Sequence, residues 1–268
     1  MSDMNGMQMR NFTDTLPPLE EIEKQVYEWQ MWAEGIGDVG QRKLKAASVL
    51  ISRVGGLGGI VAYQLAAAGI GRLVLAHAGN IRPSDLNRQL LMSHDRIGTS
   101  RLDSAKAKLL ELNPRLDVIC HSENANSENA TRLVSMADYV VDCAPLFDER
   151  FALNQACIDQ RKHMVECAMY EYEASLTTIA PGRTACLACL SPAAPAAWKR
   201  EFPVFGAVSG TVGCMAAMEV IKLITGVGSP LFNRLLMFDL SRMHFSTHTI
   251  HRNPACTVCS ACVPHTPK

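Results

Sequence analysis

Three groups of residues have types and spacings that do chemistry. The first is a glycine turn, Ser52-Arg53-Val54-Gly55-Gly56-Leu57-Gly58-Gly59, which follows the apolar run 47–51 and opens a small-residue helix over 60–68. Such a turn lets a phosphate approach backbone N–H groups at the positive end of a helix. The window from Arg53 to Gly58 fits G-x-G-x-x-G at its second and third glycines, with Arg53 at the first. A close helix–strand crossing without a ligand is the other reading of this turn. The second group is Ser84-Asp85-Leu86-Asn87-Arg88-Gln89, with Arg101 thirteen residues beyond Arg88. The third is a pair of C-x-x-C knuckles, Cys186-Leu187-Ala188-Cys189 and Cys256-Thr257-Val258-Cys259. Each knuckle offers two thiolates from one tight turn, and four thiolates complete a tetrahedron around zinc with no open position, so the ion expected is structural. Redox thiols are the alternative. Cys262 is a spare thiol one turn past Cys259, and His251 and His265 read as solvent-facing tail residues.

The elements that must position these groups alternate. Helices are expected over 19–35 and 37–45, a first strand over 47–51, the helix after the glycine turn, and a second strand over 72–76. A helix at 102–112, a strand at 115–121, a helix at 129–136 and a strand at 139–143 follow, then a helix at 151–162 and a strand at 164–168. Parallel strands need crossovers, so this order predicts a Rossmann-like, doubly wound, mostly parallel α/β sheet. From about residue 170 the pattern changes. A strand at 175–180, an Ala/Pro-rich loop, a long apolar helix within 205–226 and two alternating strands at 235–239 and 244–249 are expected, the last two antiparallel. Residues 1–18 read as a disordered N-terminal arm, and 19–268 as one nucleotide-binding domain with a C-terminal zinc-knuckle extension.

Composition narrows the function classes. The 268 residues carry 26 Lys plus Arg and 26 Asp plus Glu, which gives no electrostatic grip on nucleic acid or an anionic membrane. The apolar run 212–224 is broken by Glu219 and Lys222, so no transmembrane helix is expected. Ten cysteines behind a polar N-terminus suggest metal ligands or buried thiols in a reducing cytoplasm.

Taken together, the glycine turn, the Ser84–Gln89 stretch, Asp142-Cys143 and the paired knuckles resemble the ThiF/MoeB/HesA superfamily, the bacterial relatives of ubiquitin-activating enzymes. Gly40-Gln41-Arg42-Lys43-Leu44 belongs to the same pattern, and Ala76-His77-Ala78-Gly79 is closest to the HesA-like branch. The resemblance implies a homodimer that uses ATP and Mg²⁺ to adenylate the C-terminal carboxylate of a small ubiquitin-like or sulfur-carrier protein with a Gly-Gly end. It assigns Arg88, Gln89, Asp85 and Arg101 to the nucleotide phosphates, with Arg101 where the family has lysine. It leaves Asp142 and Asp148 as the acids available to Mg²⁺, with Glu149 beside them. Departures accompany the match. His77 stands where an acid holds the ribose, Pro145 where a second aspartate helps to hold magnesium, and Trp29 where an arginine crosses the dimer. The loop 190–213 has no cysteine to form a thioester.

Several residues keep two readings. Arg53 enters the phosphate pocket or lies on the surface; His77 meets ribose or adenine or is a structural histidine; Asp142 assists a metal or caps the next segment. Cys143 and Cys167 are inert buried thiols in preference to nucleophiles, and Met215, Met218 and Ile221 are core or dimer interface. An NAD-dependent dehydrogenase is disfavoured because no acid stands at 77–80. The alternative to an adenylyltransferase is a degenerate nucleotide-binding or dimerisation scaffold of an activating-enzyme complex.

Overall fold

The computed structural model describes residues 16–196 and 201–262. One eight-stranded sheet organises them, in the order β3-β2-β1-β4-β5-β6-β7-β8. Strands β1 (Ser48–Ser52), β2 (Arg72–Ala76), β3 (Asp117–His121), β4 (Tyr139–Asp142) and β5 (His163–Tyr170) are parallel. β6 (Glu173–Ile179), β7 (Arg234–Asp239) and β8 (His244–Thr249) continue the sheet antiparallel. The strand order reverses at β1, between β2 and β4. A switch point of this kind opens a crevice beyond the C-terminal strand ends, where open α/β sheets bind ligands. Register makes those ends level: Ser52 pairs with Ala76 on one side and Asp142 on the other, and Asp142 pairs with Glu166.

The central strands are continuously apolar between their ends because both sheet faces are covered. Val49, Ile51, Leu73 and Leu75 enter the core under α3 (Gly56–Ala67), α4 (Arg101–Leu112) and α8 (Gly206–Thr225). Leu50, Val74, Val140 and Met164 enter the opposite core, under α5 (Ala130–Ser135) and α6 (Phe147–Asp159). α8 is long and apolar enough to cross a membrane by length and composition, but half of its apolar window is buried inside the fold. Its Glu219 is buried on the sheet, accepting from Thr178 Oγ1 at 2.5 Å and Leu231 N at 2.7 Å, and paired with Lys222.

Most expected elements appear within a few residues of their expected bounds, and β2 and β8 have the bounds read from sequence. α6 differs, starting at Phe147, a turn before the expected 151. Asp148 and Glu149 occupy its first turn, where acids complement the helix dipole. A short helix α7 (Leu187–Leu190) lies inside the first knuckle. Of the expected disordered arm, residues 1–15 lie outside the described residues. The carbonyls of Leu16 and Pro17 accept from Arg42, and that of Pro18 from Lys45, which ties 16–18 to α2 (Gly37–Ala46). α1 (Glu21–Met31) precedes α2 and leaves Ile22, Val26 and Trp29 exposed along one stripe, with Trp32 just past its end.

The tightest point of the α3–β1 packing is Gly58. A Cβ there would lie 1.9 Å from the carbonyl oxygen of Arg53, closer than any real contact. Gly58→Ala is therefore expected to cost about 2–4 kcal/mol in urea unfolding, the scale of a backbone clash in a packed core. A loss below about 0.5 kcal/mol would show that α3 moves freely away from β1.

Candidate functional site

A cavity of about 340 Å³ opens at the switch point, within the range of small-molecule sites. Gly55 and Gly56 form one wall; Gly58 does not border the cavity and acts as the spacer described above. Of the three glycines expected at the phosphates, Gly55 and Gly56 border the cavity, and Gly58 lies instead at the helix–strand crossing beneath them. α3 and α8 both begin here without a side-chain cap, so their first N–H groups are open to an acceptor. A Cβ on Gly56 would sit 3.0 Å from Arg88 Cγ and 3.1 Å from Ser209 Oγ, and one on Gly206 would sit 2.6 Å from the Asn87 carbonyl. The stem of Arg88 thus packs between the starts of two helices.

Asp85 gathers the cationic wall. Its Oδ2 accepts from Arg101 Nη2 at 2.7 Å, Arg101 Nε at 3.2 Å and the Arg82 amide at 2.9 Å, while Oδ1 accepts from Gln89 Nε2 at 2.8 Å. Arg101 also donates to the Ala78 carbonyl at 3.3 Å. Arg101 is the first residue of α4, where the helix dipole disfavours a cation, and the Asp85 carboxylate offsets this. Arg88 keeps a looser geometry. Its Nη1 donates to Ser84 O at 2.6 Å and Asn87 Oδ1 at 2.9 Å, and Nη2 lies 3.7 Å from Asp85. Asp85, Arg88, Gln89 and Arg101 all border the cavity, as does His77 at the tip of β2.

Arg53 resolves into a third arrangement. It is buried and lines the cavity, but its guanidinium is held in a fork by Glu149, with Nε donating to Oε2 at 2.8 Å and Nη2 to Oε1. Its φ of 91° lies in the left-handed region that favours glycine, which accounts for a glycine being the usual residue at the first fingerprint position. The acids read as metal ligands are not brought to the cavity. Asp142 has no exposed surface; it accepts from Ser52 Oγ at 3.2 Å and Ala144 N at 3.0 Å, and lies 3.3 Å from Arg150 Nε. Burial pushes its carboxyl pKa up against the pull of Arg150. Asp148 is exposed on the first turn of α6 and does not line the cavity.

Other residues on the wall carried little sequence signal. Arg150, bonded to Glu166 on β5, enters the cavity one residue after Glu149 and had only its spacing from Asp142 to mark it. Arg82 and Ser209 had none. Cys143 and Cys167 also face the cavity. Cys167 donates to the Asp142 carbonyl at 3.1 Å, and its thiol pKa is raised, first by the Cys143 thiol beside it and then by burial. Phe202 forms a further wall, carried by a segment that returns onto the β5–β6 hairpin through Glu171 N to Pro203 O and stacks on Tyr170.

Away from the cavity, the sulfurs of Cys186, Cys189, Cys256 and Cys259 all lie within 4.8 Å of one another. The Cys186–Cys189, Cys186–Cys256 and Cys189–Cys259 separations are 3.9, 3.7 and 3.5 Å. Four sulfurs about 2.3 Å from one tetrahedral ion stand about 3.8 Å apart, so this cluster is compatible with zinc. Cys262 lies outside the cluster. Arg252 straps the second knuckle, donating to the carbonyls of Gly182, Cys259, Ser260 and Cys262. Burial raises the Cys186 thiol pKa. At Cys256 burial is outweighed by the Cys259 and Val258 amides, and the thiol falls to about 7.

Comparison with known proteins agrees with this geometry. Residues 27–258 match the model of the ThiF family. The chain is 46% identical over 256 residues to the heterocyst protein HesA of Trichormus variabilis, covering 96% of this chain and 93% of that protein. It is 40% identical over 240 residues to the adenylyltransferase and sulfurtransferase MOCS3 of Drosophila yakuba, covering 88% of this chain and 53% of MOCS3. Among solved structures, E. coli MccB with ATP superposes with a TM-score of 0.77 at 25% identity, over 88% of this chain and 74% of MccB. The chain therefore belongs to the ThiF family, within the ThiF/MoeB/HesA group, and has an adenylyltransferase-like fold.

Proposed function

We propose that this chain is an ATP-dependent adenylyltransferase that activates the C-terminal carboxylate of a small ubiquitin-like or sulfur-carrier protein ending in Gly-Gly. The observation that carries the reading is the convergence of two uncapped helix starts with Arg88 and the Asp85–Arg101 pair on one cavity. In the reaction a carboxylate oxygen attacks the α-phosphorus, the bond to the β-phosphate breaks, and pyrophosphate leaves. The N–H groups at Gly55 and Gly56 and the guanidinium of Arg88 are placed to neutralise charge growing on the phosphates. Arg101, fixed by Asp85, orients a second guanidinium without rearrangement. The relatives support the class: MOCS3 is an adenylyltransferase, and MccB is seen with ATP and with N-formylated MccA. Cys143 and Cys167 border the cavity but are read as bystanders, so the activated acyl group is expected to leave without a thioester on this chain.

The scaffold reading draws on Arg53 being locked to Glu149, on His77 in place of an acid and on Pro145 beyond β4. ATP/pyrophosphate exchange with a Gly-Gly-ended carrier separates the two. Exchange above buffer that falls sharply in Arg88→Ala supports the enzyme, while none with nucleotide bound supports the scaffold. In calorimetry Arg88→Ala is expected to weaken ATP binding by about 2–3 kcal/mol, the loss of charge-assisted hydrogen bonds.

The four-sulfur cluster is proposed to hold one structural Zn²⁺. About one zinc per chain is expected on metal analysis, and Cys256→Ser is expected to release it and lower thermal stability. Four freely titrating thiols in the folded, metal-free protein would refute this.

The exposed stripe of Ile22, Val26, Trp29 and Trp32, with Trp29 80% exposed, supports a homodimer that covers α1. Light scattering is expected to give twice the chain mass for the wild type and a shift towards monomer for Trp29→Asp. A wild-type monomer at micromolar concentration would count against it. The reading also places the protein in the cytoplasm, in keeping with ten cysteines that form no disulfide among the described residues.

A further inference from the structure

We infer that this chain holds nucleotide phosphates with guanidinium groups and backbone N–H groups, and supplies no ligand to a divalent cation. The inference rests on the nucleotide reading above and concerns the donor set of the same cavity. Mg²⁺ takes oxygen ligands in a near-octahedral shell and is held in such sites by one or two carboxylates together with the phosphates. The loop leaving β4 presents Cys143, Ala144 and Pro145 to the cavity: a thiol, a methyl group and a ring, with no hard oxygen donor on any side chain. Asp148 is exposed on α6 and does not border the cavity, and the other nearby carboxylates already face cations. Asp142 has no exposed surface: its Oδ1 accepts from Ser52 and Ala144, and its Oδ2, without a hydrogen bond among the described residues, lies 3.3 Å from Arg150 Nε. Glu149 closes on Arg53 and Glu166 on Arg150. Asp85 does line the cavity, but both of its oxygens are taken, and drawing it onto a metal would leave the buried Arg101 without its counter-ion.

The cationic side of the wall is correspondingly rich. Arg88 lies over the glycine turn, bonded through Nη1 to Ser84 O and Asn87 Oδ1 and with one loose ion pair, 3.7 Å from Asp85, and Arg82, exposed on the rim, has no ion pair among the described residues. A guanidinium fork matches a phosphate edge with two parallel hydrogen bonds and needs no metal between them. Glu201, on the rim beside Phe202, is the one cavity-lining carboxylate without an ion pair among the described residues, and it sets the control.

The test is calorimetric titration of the full-length protein with ATP, once in excess Mg²⁺ and once in EDTA, repeated with Glu201→Gln. The expected result is a Kd in EDTA equal to or tighter than that in Mg²⁺, within about threefold if the two differ at all, and no change in this ratio in Glu201→Gln. Binding lost in EDTA and restored by Mg²⁺ overturns the inference and leaves the nucleotide reading standing. Mg²⁺-enhanced binding that disappears in Glu201→Gln overturns it by identifying a metal ligand. No ATP binding in either buffer overturns the nucleotide reading itself, and this inference with it.

Discussion

The cavity wall hangs on one buried carboxylate. Asp85 is 4% exposed, yet it receives the Arg101 guanidinium, the Gln89 amide and the backbone amide of Arg82. These come from both ends of the Arg82–Gln89 stretch and from the start of α4, so the one side chain fixes how the irregular segment after β2 lies against the helix that follows. Removing such a partner exposes the rest to the full cost of an unpaired buried charge, about 3–5 kcal/mol for a broken buried pair. The geometry also explains why an arginine can begin α4. The dipole disfavours a cation there, and a carboxylate 2.7 Å away reverses the sign of the local field.

A second constraint links two residues far apart along the chain. Arg53 takes a left-handed backbone angle in a turn built for glycine, a cost on the order of 1 kcal/mol or more. The side chain that glycine lacks then needs a home inside the fold, and Glu149 provides it with a two-pronged, charge-assisted contact. The first turn of α6 is thereby tied to the β1–α3 turn, 96 residues away. Arg53 and Glu149 thus form one unit, which occupies the carboxylate next in the chain to Asp148.

Pairing across the sheet decides what residue order along the chain does not. Strand identity was legible because central strands are continuously apolar, and the cysteine cluster because C-x-x-C fixes local geometry before any tertiary contact forms. Arg88 and Arg101 were legible because motif and spacing placed them. Which carboxylates face the cavity was not, since facing is set by pairing across the sheet. Asp142 turns inward because its register partner Ser52 presents a hydroxyl to it, and Asp148 faces solvent because α6 begins a turn early. Cys143 follows β4 and is half-buried, and Cys167 lies within β5 rather than at the strand end expected; that they share a cavity follows from the β4–β5 register.

α6 also joins the two chemical centres. Glu149 and Arg150 at its start serve the cavity, and one turn on, Asn154 Oδ1 accepts the amide of Leu187 at 3.0 Å, inside the first C-x-x-C knuckle. Asn154 is fully buried, so this bond is dry, and the knuckle sulfurs pack in the same apolar core as Leu153 and Cys157 on α6. The proposed ion, by holding the knuckle, would hold Leu187 against Asn154 on α6, whose first turn carries Arg150 and the Glu149 that pairs with Arg53. A closed four-thiolate site does no chemistry of its own. Its position one helix away from the guanidiniums would make the proposed ion a support for their geometry, at a cavity that it never touches.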